Sequence, residues 1–251
     1  MTSLLADARL LGARSVTRSR RNPASIIGAL VFPLLFFALF NIVMRRVMNN
    51  QGFDYVQLLP PTIITQAMIF AGMSSAYYVA ADRLSGMTSR LRSLPVHRAA
   101  PIVGRAVGDV VRAAMSLAVV TVVAVLAGMR FESFVGAVGF IVLALGFAVV
   151  FSLGMGLIGY VASSPDAAVS IASIPYLPFL MLSSGFVPVE NFPGWLQPFV
   201  RWQPITSVID ALRALIGDGS VSETLPVALA WLAGGAVVFS ILGGRAFARS
   251  S

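Results

Sequence analysis

The chain has 251 residues, of which 57% are hydrophobic and only 11% charged, with a mean hydropathy of +0.86. Soluble domains carry about a quarter of their residues as charged groups, so composition excludes an ordinary soluble domain and makes this an integral membrane protein. The formal net charge is +8 and all 18 basic residues are arginine. They border apolar runs instead of covering a soluble face, which points to membrane topology and not to nucleic acid.

There is no cysteine, which excludes disulfides and thiolate metal sites. The single histidine, His97, cannot build a metal centre alone. Residues 1–22 have helical periodicity: Leu4, Leu5, Ala8 and Leu11 share one face, while Arg14, Arg18 and Arg21 recur at i, i+4 and i+7 on another. Such a basic amphipathic helix lies flat in the inner headgroup layer, and Asn22-Pro23 ends it. Its role is lipid anchor and topology signal, or contact with a cytoplasmic partner as well. The first apolar run, Ala24–Met44, has 21 uncharged residues and no small-residue cleavage pattern, so it reads as a retained span.

A crossing needs roughly 20 apolar residues. Residues 24–44, 55–81, 110–129, 133–162, 167–189 and 224–244 meet that need, giving six expected spans in a single all-α transmembrane domain, 1–251. The fourth run is long enough to tilt or protrude. Six spans put both termini on one side, together with thirteen of the arginines against five on the other. The arginine-rich side is expected to be cytoplasmic; Arg45 and Arg46 oppose the rule locally.

Between spans two and three lies DRLSGMTSRLRSLPVHRAAPIVGRAVGDVVR, residues 82–112. Met87, Leu91 and Leu94 recur at helical spacing, Arg90, Arg92 and Arg98 point elsewhere, and Pro95 ends the segment. A short helix parallel to the membrane and held between two spans would act as a lever; the alternative is a solvated basic loop. Spans two and five carry hydroxyls and one amide among apolar residues, a pattern that suits contact with an amphipathic molecule. Gln66, Phe70, Met73, Tyr77, Tyr176 and Phe179 are expected to line the substrate pathway, with helix–helix packing as the alternative for each. Pro175 and Pro178 should bend span five.

Residues 190–213 read as a re-entrant helical pair. Trp195, Phe199 and Trp202 occur at i, i+4 and i+7 between Pro193 and Pro204, and aromatics of this kind belong at the lipid–water boundary. Ile205, Val208, Ile209 and Leu212 form a second apolar face that ends near Arg213. The pair would cap the pathway as an external lid, with Glu190 and Arg201 at its exit.

The chain shows no catalytic chemistry. A P-loop requires a lysine that reaches the phosphates, and there is no lysine. Gly154-Met-Gly-Leu-Ile-Gly159 fits the G-x-G-x-x-G pattern but lies deep in an apolar run, with no strand before it. Close helix packing explains it better, with Ser152, Gly156 and Tyr160 on one stripe. Asp109 should pair with Arg112 at i, i+3. No acid stands in mid-membrane for a proton relay, which argues against proton-driven antiport.

Two motifs carry a family resemblance. D82-R-L-S-G-M-T-S-R-L-R-S-L-P-V-H-R98 resembles the cytoplasmic loop of type-2 ABC exporter permeases, departing from the pattern at Met87, where threonine is common. L182-S-S-G-F-V-P-V-E-N-F-P-G-W-L-Q-P, followed by W-Q-P-I-T-S-V-I-D-A-L-R213, resembles the same family's segment before its last span. The likeness covers nearly the whole chain and is greatest to the drug-resistance branch, including the daunorubicin-type permeases. It implies that 83–98 is a coupling helix seated on a separate ATPase through Arg83, Gly86, Met87, Arg90, Leu91, Leu94, Pro95 and Arg98. It implies that the N-terminal helix is an interface helix, with Arg14, Arg18 and Arg21 on it, and that Ser163–Asp166 is a minor contact. Two ATPase copies and a second permease chain, identical or paralogous, are the implied partners. ATP and Mg would sit on the ATPase, and this chain would bind no cofactor, metal or nucleic acid. The implied function is outward export of a hydrophobic or amphipathic drug, antibiotic or lipid across a bacterial inner membrane. A non-transporting assembly or lipid-binding protein and a secondary transporter are the alternatives.

Overall fold

A computed structural model describes residues 23–50, 55–87, 100–217 and 219–249. Among the described residues all regular structure is helical. The helices are α1 (Pro23–Asn50), α2 (Tyr55–Leu84), α3 (Ala100–Leu126), α4 (Phe134–Val161), α5 (Pro165–Ser173), α6 (Tyr176–Met181), α7 (Gln197–Trp202), α8 (Pro204–Ile216) and α9 (Val221–Arg249), with a single 3-10 turn at Val189–Asn191.

Four described segments are long and apolar enough to cross a membrane: Tyr55–Leu84, Gly104–Leu126, Phe134–Val161 and Val221–Ala246. In α1 the described apolar stretch is shorter, Leu30–Val43. The run 167–189, expected as one crossing, is divided instead. Helix α5 stops at Ser173, α6 occupies six residues, and the chain then turns. Pro175 and Pro178 have no N–H to donate to the preceding turn, which weakens the ladder where the bend was expected. Helix α3 begins ten residues before the expected start at 110. Its charged residues turn inward and pair, so they do not end the span.

Helix α2 is the axis of the bundle. It is buried over most of its length and packs against α1, α3, α4, α5 and α8. The tightest approach is to α4. A Cβ at Gly159 would lie 2.5 Å from the Ala76 carbonyl oxygen and 2.6 Å from Val79 Cβ. Ser152, Gly156 and Tyr160 lie buried on the same helix, so the small-residue stripe read from the sequence is a packing surface. Helix α4 starts cleanly because the Ser133 hydroxyl accepts from Gly136 N at 2.9 Å. Helix α5 starts in the same way, with Ser164 accepting from Ala167 N at 3.0 Å and Pro165 at its first position. Helix α9 is the least buried of the long helices and packs chiefly on α4 and α8.

The α2–α4 contact sets an expected outcome. Gly159→Leu forces a backbone carbonyl and a β-branched side chain apart, at a cost of about 1–3 kcal/mol. Gly244→Leu, where an added Cβ meets nothing within 4 Å, should change little. Thermal unfolding of the two purified variants in detergent distinguishes them.

Candidate transport pathway and the polar clusters that frame it

Three of the six expected pathway residues meet. The Gln66 amide Nε2 donates to the Tyr176 hydroxyl, joining α2 to α6 across the bundle. The Phe70 ring stands edge-on to Tyr176, with centroids 5.0 Å apart. Met73 is buried in the core, and Tyr77 stacks edge-on against its neighbour Tyr78 at 5.5 Å. Phe179 is partly exposed and lies 5.9 Å from Phe199 of α7. Tyr176 and Phe179 also line a cavity of about 560 Å3 between α4, α6, α8 and α9; the other four do not.

The sequence reading missed a column of rings that runs through this region. Phe32, Phe36 and Phe40 recur every fourth residue along α1 and touch in series, at 4.7 and 5.7 Å. Phe32 continues to Phe70 at 5.2 Å, and Phe40 to Phe186 at 4.6 Å. The i, i+4 phenylalanine spacing was the available signal. It ties α1 to both α2 and the turn after α6.

The lid residues form a surface. Trp195, Phe199 and Trp202 are all exposed, and Glu190 and Arg201 face each other at 3.9 Å with both side chains open to solvent. An exposed pair of this kind contributes little stability. Helix α7 is shorter than expected, because it begins at Gln197 with Pro198 in its first turn and leaves Trp195 in the turn before it.

Beneath this surface, Arg213 is drawn into the bundle. It is only 8% exposed. Its guanidinium donates to Ser184 O at 2.9 Å, Gly185 O at 2.9 Å and Leu58 O at 3.3 Å, and pairs with Asp210 at 3.4 Å. Thr62 Oγ1 donates to Gly185 O at 2.8 Å, and Ser184 Oγ donates to Asp210 at 2.6 Å. Gln203 Nε2 donates to the Leu182 carbonyl and to Thr206 Oγ1. A planar fork with several donors is suited to gathering carbonyls from separate segments.

A second cluster sits at the opposite end of α2. Arg83, expected on the coupling helix, belongs to the last turn of α2. It donates to the carbonyls of Tyr160, at 2.8 Å, and Ala162, capping α4. Asp82 lies 3.9 Å from Arg105, which also reaches the Tyr160 hydroxyl at 3.3 Å. One turn further along α3, Asp109 and Arg112 pair as expected, but fully buried, and the Arg112 guanidinium lies 4.7 Å from the Tyr78 ring. Gly86 then turns the chain with φ +70, a conformation that favours glycine. Met87 follows it, half-buried. Arg90, Leu91, Leu94, Pro95 and Arg98 lie outside the described residues, as do Arg14, Arg18 and Arg21.

Two outcomes follow from these clusters. Arg112→Leu strands the Asp109 carboxylate in the interior and should cost about 3–5 kcal/mol; Asp109→Leu added to it should recover most of that loss in thermal unfolding. Arg213→Lys keeps the charge but loses the fork. Limited proteolysis across 186–196 should therefore speed up in Arg213→Lys while Arg201→Lys cleaves at the parental rate.

Residues 7–216 match the family model described as ABC-2 type transporter. The chain is 29% identical over 246 residues to the probable doxorubicin resistance ABC transporter permease protein DrrC of Mycobacterium tuberculosis (strain CDC 1551 / Oshkosh), covering 94% of this chain and 86% of that protein. It is 28% identical over 204 residues to the daunorubicin resistance ABC transporter permease protein DrrB1 of Streptomyces coeruleorubidus, covering 81% and 72%. To the doxorubicin resistance ABC transporter permease protein DrrB of Mycobacterium tuberculosis it is 33% identical over 165 residues, 64% of this chain and 56% of that protein. A family match over most of the chain, on an all-helical bundle built to cross a membrane, makes this protein a member of the ABC-2 type transporter family.

Proposed function

We propose that the chain is the permease subunit of an ATP-driven exporter that moves hydrophobic or amphipathic compounds, drugs among them, out of a bacterial cell across its inner membrane. The observation that carries this reading is the family match over residues 7–216. Several relatives bear the names of doxorubicin and daunorubicin resistance permeases. A chain without lysine holds no P-loop, so ATP and Mg belong to a separate ATPase chain.

In the full assembly two permease chains, identical or paralogous, work with two ATPase copies. Each permease crosses the bilayer six times, with α1 as the first crossing and the broken α5–α6 unit as the fifth. Both termini face the cytoplasm, where the arginines concentrate. The segment 83–98 presents Arg90, Leu91, Leu94 and Arg98 to the ATPase, beside the N-terminal interface helix with its Arg14, Arg18 and Arg21. ATP binding closes the ATPase pair and displaces the coupling segment, which changes the relative populations of inward- and outward-facing states. The substrate passes between apolar walls near Gln66, Phe70 and Tyr176, under the lid formed by 190–213. The Asp109–Arg112 pair supports this reading over a proton relay, because a carboxylate held by an arginine has no free role in proton carriage.

Co-purification tests the reading directly: the permease should bring down an ABC ATPase in stoichiometric amount. Arg90→Glu and Arg98→Glu should insert and assemble normally, yet lose most ATP-driven efflux in inverted vesicles. Parental efflux by a stably assembled charge-reversed protein would overturn the assigned coupling segment.

A further inference from the structure

The polar clusters leave the cavity between α4, α6, α8 and α9 unexplained. Its volume of about 560 Å3 falls within the roughly 300–1,000 Å3 of small-molecule sites. No charged side chain lines it. Six of its walls are rings, from Phe147, Phe151, Tyr176, Phe179, Trp231 and Phe239. Rings stack with rings in offset or edge-on geometry, so this wall favours flat ring systems over a plain acyl chain.

The space is built into the helices. Gly154 and Gly235 are used for contact: a Cβ at Gly154 would come within 3.0 Å of the Phe239 ring, and one at Gly235 within 2.8 Å of Val150. Gly234 also lines the cavity, but an added Cβ there meets nothing within 4 Å. That glycine leaves the cavity open without bringing two helices together. Gly234 stands midway along the crossing segment Val221–Ala246, and Ile69 at the cavity wall stands midway along Tyr55–Leu84. The cavity therefore lies at half depth of the bilayer. Phe179, Trp231 and Val238 line it and remain exposed, so it is reached sideways from the hydrocarbon.

One polar group stands in this wall. The Tyr176 hydroxyl accepts from Gln66 Nε2, which leaves its own hydrogen to donate. Gln66 Oε1, fully buried, has no partner among the described residues. Gln66 Oε1 is itself an acceptor, which a ligand carbonyl does not satisfy; the group a carbonyl can use is the remaining hydrogen of the Tyr176 hydroxyl. Resting on the exporter reading above, we infer that this cavity is an intramembrane site for an uncharged, ring-bearing compound with a carbonyl-type acceptor, entered laterally from the bilayer.

Benzophenone, a neutral diaryl ketone, is a suitable probe. Photolabelling of the permease in its native membranes, followed by peptide mass spectrometry, should place adducts on 147–155 and 231–239. Gly234→Leu and Gly234→Trp fill the space and should cut labelling about tenfold or more, the loss of a principal apolar contact. Gly244→Leu, also facing open space, should label as the parent does. Tyr176→Phe keeps the ring but removes the donor, and should lower labelling about two- to tenfold. Adducts spread evenly along α9, or undiminished labelling in Gly234→Trp, would overturn the inference. So would a phospholipid with a photoactivatable tail that labels the same peptides and displaces benzophenone, since the cavity would then be an acyl-chain seat. The exporter reading is scored separately, by ATPase co-purification, and its failure would leave the labelling result standing.

Discussion

One guanidinium, that of Arg213, holds together one end of the described bundle. Inside hydrocarbon a bare carbonyl has no water to turn to, so the backbone crosses as unbroken helix or finds donors elsewhere. Helix α6 ends at Met181, and the chain then turns through Ser183–Gly185 in a buried position. The carbonyls freed by that turn are met by Arg213, Gln203 and Thr62, which come from α8, its cap and α2. The break in the fifth run and the dip of α8 into the bundle therefore depend on each other. Neither is stable in lipid without the other's donors.

The opposite end is organised by the same rule with different residues. There Arg83 satisfies the last carbonyls of α4, and Arg105 and Asp82 join α3 to α2. The Asp109–Arg112 pair lies a turn deeper, its charges balanced in the interior. Between the two clusters α2 runs buried, with its glycine contact to α4 on one side and the α1 phenylalanine column on the other. A rod fixed at both ends transmits displacement along its length. Helix α9 has no such ties. It leans on α4 and α8 through apolar contacts, which is why a cavity can open beside it.

Much of this was legible in the sequence, and what was not has a common cause. Apolar runs located α2, α4 and α9, because a long uncharged stretch can satisfy its backbone only as helix. The stripe Ser152, Gly156 and Tyr160 announced the α2–α4 contact, since small residues at i, i+4 have few other uses in lipid. The fifth run was expected to bend at Pro175 and Pro178, and it divides there into α5 and α6, because those residues withhold donors from the hydrogen-bond ladder. The start of α3 was misjudged because charge was taken as a boundary. Arg105, Asp109 and Arg112 are tolerated inside once each has a partner three residues away or across a helix interface. Arg83, expected on the coupling segment, lies in the last turn of α2 and meets carbonyls of α4. The identity of an arginine does not reveal whether its partners are water or carbonyls brought in from a hundred residues away. Of the expected pathway residues, Gln66 and Tyr176 stood out by their polarity and do meet, whereas the phenylalanine column of α1 was passed over, although its spacing was plain.

The hinge of the broken fifth unit lies on the wall of the large cavity. Pro175 and Tyr176 both line it, and Tyr176 is held to α2 by Gln66. Phe179, at the same wall, touches Phe199 of α7. A compound in that cavity would thus contact the hinge, the central helix and α7 through three neighbouring side chains. Its influence on the permease is bounded by its differential affinity for the hinge states, since a ligand that binds both equally shifts nothing. Rings are better placed than flexible tails to supply such a difference, because a rigid plane fits a rearranged aromatic wall poorly, whereas a flexible chain adapts to it. On that argument selectivity in such a site comes from shape, and the single hydroxyl of Tyr176 fixes orientation.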